Sequence, residues 1–345
     1  MKKKVLITGG AGYFGESLLN KLLNKGYDCS VLDVNSPNKS TLDKINFFKT
    51  DIRDYNGVLN ASKGIDYIFH NVAQVPLAKD KELFDSVNSI GTMNIVKAAD
   101  ANGCQHLVYT SSSAVYGIPP HNPVNEMTPT NPVEEYGQAK LDGEKMCLEY
   151  KDKIDITIIR PRTILGNGRL GIFQILFEWV YLNQNLPVFD GGHNIYQFVH
   201  CDDLSEACIK SVEEKATGIF NIGTNDYCSM KETLNTLIKH SKKNSKITSL
   251  PSKIIVPLMN LSSYLGLSPL GPYHSAMYGK SLYFDTSKAK KELKWFSKNS
   301  NQDMIKESYD WYLLNRNELL SNKSQKSLHK STVKQGILYI IGKLL

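Results

Sequence analysis

No cysteine in this 345-residue chain lies three positions from another. The six thiols (Cys29, Cys104, Cys147, Cys201, Cys208 and Cys228) therefore lack the C-x-x-C spacing of a zinc ribbon and suggest no disulfide framework. They read as buried or free thiols of a reducing compartment, and no metal site is expected. A secretory signal is also not expected, because MKKKVLITGG runs straight into a strand-like segment without the longer apolar stretch and cleavage site that such a leader needs. A cytoplasmic location is the expectation. There is no internal repeat and no low-complexity linker. The net charge of +7 does not form a basic stripe interleaved with aromatics, so nucleic acid is not an expected partner. Residues 321–345 carry five lysines and no acid, which leaves only +2 for the first 320 residues.

What is present is an ordinary globular composition, 41% apolar and 22% charged, in a chain long enough for one large or two modest domains. Short apolar runs alternate with amphipathic stretches. KVLITG is followed by GYFGESLLNKLLNKG, which closes at Gly26 as a helix does. YDCSVLDV, INFFKTDIRD, DYIFHNVA and QHLVYTSSS read as further strands, with FDSVNSIGTMNIVKAADANG as a helix before the last. DITIIRPRTIL and GIFNIGT add two more strands. Strands alternating with helices predict an α/β fold with a doubly wound parallel sheet. The expected organisation is a nucleotide-binding domain over 1–162, to which 196–223 return. A smaller mixed substrate-binding region covers 163–195 and 224–315, and a basic tail with a short amphipathic segment covers 316–345.

Thr8-Gly9-Gly10-Ala11-Gly12-Tyr13-Phe14-Gly15 joins the first strand to the first helix and satisfies both G-x-G-x-x-G and G-x-x-G-x-x-G. Glycines there let a pyrophosphate approach the backbone at a helix N-terminus. Asp33 closes the second strand 18 positions after Gly15, where its carboxylate would accept from ribose hydroxyls and repel a 2′-phosphate. With no Arg or Lys beside it in VLDVNSPN, NAD is favoured over NADP. Asp51 and Ile52, at the end of the third strand, are placed against the adenine.

With that loop, TSSSAVYG at 110–117 and YGQAK at 136–140, the chain resembles the extended short-chain dehydrogenase/reductase family, in its sugar 4-epimerase-like epimerase/dehydratase branch. HNVA at 70–73, Asn88 in SVNSIGT, RPRTILG at 160–166, FVHCDDL at 198–204 and FNIG at 220–223 extend the resemblance over roughly residues 3–315. It implies that Tyr136 is the acid/base and that Lys140 binds the nicotinamide ribose while lowering the tyrosine pKa from its ordinary value of about 10. It implies further that Ser112 holds the reacting oxygen, with Ser111 and Ser113 as alternatives in a run of three. Cofactor contacts are expected from Gly9, Gly12, Tyr13, Phe14, Gly15, Asp33, Asp51, Ile52, Val72, Ala73, Asn88, Tyr136, Lys140 and Pro161. Substrate contacts are expected from Ser112, Ser113, Arg162, Thr163 and Tyr196. A homodimer through the Y-x-x-x-K helix is also implied.

Ser113-Ala114 stands where the family's dehydratases carry Asp-Glu, so elimination of water is disfavoured. The stretch through Glu126 to Tyr136 resembles the epimerase arrangement: oxidation at C4, turnover of a 4-keto intermediate, and return of hydride to the other face. Two features depart from nucleotide-sugar epimerases. Arg162-Thr163 replaces the end of R-x-x-N, and Tyr196-Gln197 replaces an Arg-Asp pair. Arg162, Arg169 and His193 are the candidate replacements for the lost phosphate donors. Between Pro251 and Tyr283 only Lys253 and Lys280 are charged, so this segment is either the core of the small region or an apolar entrance. TVKQGILYIIGKLL is too short to span a bilayer but has the pattern of a basic amphipathic segment that contacts a membrane surface. These features point away from a soluble nucleotide and suit a polyprenyl-diphosphate carrier, and the expected substrate is a sugar on a UDP or polyprenyl-diphosphate carrier. The alternative is a 3β-hydroxysteroid dehydrogenase-like oxidoreductase acting on an apolar secondary alcohol or ketone. A redox-sensing protein without catalysis is disfavoured because Ser112, Tyr136 and Lys140 are intact.

Overall fold

Seven strands pair in parallel in the order β10-β6-β5-β4-β1-β2-β3. The computed structural model describes residues 2–74, 81–168, 173–265 and 277–320. Arg169, most of the PYHSAMY stretch and residues 321–345 lie outside the described residues. The strands of this sheet are β1 (Lys4–Thr8), β2 (Asp28–Asp33), β3 (Asn46–Lys49), β4 (Tyr67–His70), β5 (His106–Thr110), β6 (Asp155–Pro161) and β10 (Gly218–Ile222). The near-continuous burial of β1, β5 and β6 explains their uniformly apolar runs in the sequence, since the inner part of a parallel sheet is covered on both faces.

Helices α1 (Tyr13–Asn24) and α7 (Cys201–Glu213) pack together on one face around Leu18, Leu22, Leu204 and Ile209. Helices α3 (Tyr55–Ala61), α4 (Lys81–Ala101) and α5 (Glu135–Leu148) cover the other face through Val58, Ile95 and Cys147. A four-residue helix, α2 (Lys39–Leu42), precedes β3. Strand order reverses between β1 and β4, which opens a crevice at the carboxyl ends of these two strands, the usual ligand position in such sheets.

The remaining elements form a smaller body. β7 (Thr163–Leu165) pairs with β9 (Phe198–His200), and β8 (Leu186–Phe189) pairs with β11 (Ile247–Leu250). Helices α6 (Phe173–Tyr181), α8 (Met230–Ser241), α10 (Ser287–Glu292) and α11 (Asn301–Leu320) accompany them. Phe177, Leu234, Met304 and Tyr309 belong to this second core.

Three expectations change. β3 stops at Lys49, and Asp51–Ile52 lie beyond it in a turn, where the Asp51 carboxylate accepts from the Arg53 backbone N–H (2.9 Å). The expected tail does not begin at 316: α11 continues to Leu320, and Arg316 forms a paired contact with the buried Glu178 (2.7 and 2.8 Å). The apolar segment after Pro251 is core only at its far end, where Met277 and Leu282 are buried with Val124 and Phe284, and its first described part is not. That part forms α9 (Ser252–Tyr264), a helix with no buried residue. Among the described residues no helix is long and apolar enough to cross a membrane.

Candidate active site

The glycine loop leaves the end of β1 and enters α1 through Gly12, which has no side chain to cap the first-turn amides. The turn is held by Gly12 N–H to Gly9 C=O (3.0 Å) and Gly9 N–H to Leu32 C=O (2.9 Å). A Cβ on Gly15 would sit 2.0 Å from the Gly9 carbonyl oxygen, so the loop closes on α1 only with glycine there. The first-turn amides and the positive end of the helix are arranged as a helix N-terminus that can accept an anion.

Asp33 accepts from Ala11 N–H (3.0 Å) and Asn35 N–H (2.9 Å), which ties the end of β2 to the loop. Burial pushes its carboxyl pKa up, and these backbone donors oppose the shift. Asp51 is engaged differently: Arg53 contacts both carboxylate oxygens (2.6 and 3.0 Å), and chiefly this holds its pKa down. Ile52 is buried against Gly91. Val72 borders Gly9. Asn88, itself buried, pins the Gln74 backbone by accepting from its N–H (3.0 Å) and donating to its carbonyl (3.3 Å). Half-buried Ala73 lies between Val72 and Gln74, and buried Pro161 ends β6.

Below the crevice, His70 Nδ1 is 2.7 Å from Thr8 Oγ1, and its Nε2 faces Thr92 Oγ1 at 3.3 Å. Burial, with a smaller contribution from the Lys140 cation, lowers the His70 pKa to about 3. Burial likewise lowers His106, beside Thr157, to about 4. Above about pH 6.5 both rings are neutral whether the chain is folded or not. Below it the unfolded chain takes protons that the folded one refuses, so stability falls with pH down to these lowered values. Each ring contributes a slope of up to about 1.4 kcal/mol per pH unit. Urea midpoints should therefore drop between about pH 6.5 and about pH 5, and His106→Gln should flatten part of that slope. A midpoint constant over this range would contradict the burial of these rings.

The α5 N-terminus carries the candidate chemistry. Glu134 caps it, accepting from the Tyr136 and Gly137 N–H groups (2.9 and 2.7 Å). A Cβ on Gly137 would approach the Ala114 carbonyl to 2.6 Å, so glycine there lets α5 press against the serine turn. Tyr136 is half-buried. One turn on, the buried Lys140 donates from Nζ to the Thr110 carbonyl (2.7 Å) and lies 4.9 Å above the Tyr109 ring. Burial lowers its pKa to about 8, against smaller raising effects of Cys147 and Glu144.

The three serines are distinguished by their partners. Ser111 Oγ donates to Glu144 (2.5 Å), while Ser113 Oγ accepts from Arg162 Nη1 (2.8 Å). Ser112 Oγ accepts from Ala114 N–H (3.1 Å), and among the described residues its hydroxyl proton has no acceptor in the protein. Arg162 is 2% exposed, lies 4.9 Å from the Tyr196 ring and 5.8 Å from the Phe284 ring, and among the described residues has no hydrogen-bond partner for Nε or Nη2. Thr163 Oγ1 and Tyr196 Oη are 3.0 Å apart. Gln197 is a packing residue, bound to the Thr224 carbonyl and Phe284 N–H (2.7 and 2.9 Å). His193 is exposed.

A buried network that the sequence did not reveal lies behind this arrangement. Arg160 meets Glu144 through two contacts (2.8 and 2.5 Å) and donates to Tyr116 Oη (2.7 Å), which donates to Asn221 (2.9 Å). Glu126, between the motifs, accepts from Asn221 N–H (2.8 Å). The available signal was spacing, since Tyr136, Lys140 and Glu144 recur every four residues on one helix face. Elsewhere, a crevice of 580 Å³ runs beside α1, α7 and α11, with His200 and Trp311 in its wall and none of Ser112, Tyr136 or Lys140. His200, Cys201 and Asp202 offer atoms within 4.8 Å of one another there, but His200 is already paired with Glu307 (3.1 Å).

Residues 5–223 match the model of the NAD dependent epimerase/dehydratase family. The uncharacterized protein y4nG of Sinorhizobium fredii is 50% identical over 341 residues, 98% of this chain and 85% of that protein. The UDP-glucose 4-epimerase of Mycolicibacterium smegmatis is 32% identical over 250 residues, 66% of this chain and 80% of its own. The solved UDP-glucose 4-epimerase of Bifidobacterium longum, in complex with NAD+ and UDP, aligns with a TM-score of 0.73 at 22% identity, over 91% of this chain and 99% of that one. At that identity the likeness is one of fold.

Proposed function

Because this chain belongs to the NAD dependent epimerase/dehydratase family, we propose that it inverts C4 of a sugar carried on UDP or a polyprenyl diphosphate. The chain is an NAD-dependent enzyme, and the loop fits the cofactor: the first turn of α1 is free of a side-chain cap, and glycine at 15 lets the loop close tightly on that helix. In this reading Gly9, Gly12, Tyr13, Phe14 and Gly15 hold the pyrophosphate, Asp33 a ribose, and Asp51 with Ile52 the adenine. Val72, Ala73, Asn88 and Pro161 border the nicotinamide side. When bound, NAD supplies a hydride acceptor that returns the hydride to the opposite face of the sugar.

The observation that carries the proposal is the setting of Tyr136, Lys140 and Ser112. Tyr136 takes the proton of the C4 hydroxyl and later gives it back. Lys140 keeps that phenol acidic and binds the nicotinamide ribose. Ser112 uses its uncommitted hydroxyl proton on the reacting oxygen. A 4-keto sugar then turns over in the pocket. The test is an NMR assay of UDP-glucose and UDP-N-acetylglucosamine with substoichiometric NAD. Appearance of the galacto isomer supports the reading on a UDP carrier. Polyprenyl-diphosphate sugars form the second arm, and silence in both arms sinks it.

Arg162 supplies the anion contact in this proposal. Its Nε–Nη2 edge is the fork that binds a carboxylate or phosphate in bidentate fashion, and among the described residues that edge has no partner. A buried cation without an anion is costly, and an apolar residue of similar volume avoids the cost. Arg162→Met should therefore raise KM by about tenfold to about a hundredfold without lowering the thermal midpoint. An unchanged KM would remove Arg162 from substrate binding. A homodimer through α4 and α5 belongs to the same proposal. These helices pack together, and Ile90 on α4 is half exposed.

A further inference from the structure

Helix α9 carries an apolar stripe that nothing in the described structure covers. Ile254, Leu258, Leu261 and Leu265 are 59%, 55%, 54% and 57% exposed. Their spacing of four, three and four places them on one narrow line along the helix and its C-cap. Pro257 and Tyr264, both also exposed, flank that line. Ile255, Val256, Met259 and Ser263 fall on the opposite side of the helical wheel and are the half-buried ones. The helix thus turns a weakly apolar side toward the body and its greasiest side outward. That is the reverse of a core-facing amphipathic helix, and contiguous exposed apolar patches mark interaction surfaces.

The charges around the stripe indicate what covers it. Lys253 and Lys280 are the only charged residues from 251 to 283, both are exposed, and they outnumber the Asp190 carboxylate that accepts from Ser252 N–H (3.0 Å) at the start of α9. Tyr264 projects at 87% exposure beside the aliphatic line, as aromatic residues do at a membrane interface. At 13 residues α9 measures about 20 Å, short of the roughly 30 Å hydrocarbon core of a bilayer. Its geometry suits a helix lying flat in the headgroup region.

We propose that α9 docks this chain on an anionic lipid surface, its Ile254–Leu265 stripe entering the acyl boundary while the exposed Lys253 and Lys280 meet the headgroups. This goes beyond the sugar chemistry and does not depend on it. None of these residues lies among the groups assigned to NAD or substrate.

The experiment is flotation of the full chain with phosphatidylcholine vesicles containing about 30% phosphatidylglycerol. The wild-type chain should float, and Leu258→Ser/Leu261→Ser should weaken binding by about tenfold or more. Its affinity for NAD should be unchanged, which shows that the fold is intact. Ile254→Asn, at the other end of the stripe, repeats the test in a second background. A wild-type chain that stays with the soluble fraction overturns the proposal. So does flotation of the variants equal to wild type, which would assign binding to the lysine-rich tail alone. A dimer that these substitutions dissociate, without vesicle binding, would make a second copy the occupant and overturn it as well.

Discussion

Replacing Tyr136 by phenylalanine should reduce epimerisation by about 10²- to 10⁴-fold, the range that a positioned proton-transfer group supplies. The affinity for NAD should be nearly unchanged. The phenol stands on the first turn of α5, half-buried, with Lys140 one turn behind it. The Lys140 ammonium is held near neutrality, at about 8, chiefly by burial. A cation there favours the phenolate, so the substitution removes the proton acceptor without emptying the pocket. Activity within about tenfold of wild type would assign proton transfer elsewhere. The serine run gives a companion result. Ser112→Ala should cost about 10²- to 10³-fold in kcat with little change in thermal midpoint. Ser111→Ala should act mainly on stability, because its hydroxyl is spent on Glu144. Equal effects on kcat would mean that the hydrogen bonds do not separate the two roles.

That separation could not be read from the sequence. Three identical residues in a row offer no local signal, and their roles are decided by partners on α5 and β6. The sheet and cofactor loop were legible because their signals are short-range. Apolar runs alternate with amphipathic helices, glycines recur at 9, 12 and 15, and Asp33 follows at the end of β2. The Tyr136–Lys140 pair was legible once that frame existed. The end of β3 was misplaced because Asp51 and Arg53 form a local turn that apolar periodicity does not report. The segment after Pro251 was ambiguous for a different reason. A core strand of the chain and a helix that presents its apolar side outward share one composition, and only exposure distinguishes them. The departures at Arg162 and Gln197 were visible as substitutions, but not their different fates. Gln197 is saturated by backbone partners, whereas Arg162 retains an unpartnered fork.

Glu144 is the residue whose loss should disturb most at once. Its carboxylate is 2% exposed and accepts from both Arg160 and Ser111. Removing it as Glu144→Leu leaves the Arg160 guanidinium buried with only Tyr116 as a polar partner among the described residues. Breaking one side of such a pair costs about 3–5 kcal/mol, to be read as a large fall in the denaturant midpoint. Arg160→Met in the same chain should restore much of that loss, because two apolar side chains of similar volume replace the pair without leaving an unpaired charge. Catalysis should not be restored in step. Glu144 raises the Lys140 pKa against the lowering by burial. Without this anion the ammonium loses its proton below about pH 8, in the singly and the doubly substituted chain alike. The alkaline limb of the pH–rate profile should therefore move to lower pH and stay there when stability returns. If the profile instead recovers together with the midpoint, Glu144 serves packing only. If it remains displaced in a stable double variant, Glu144 is a positioning residue that acts on the reaction through Lys140.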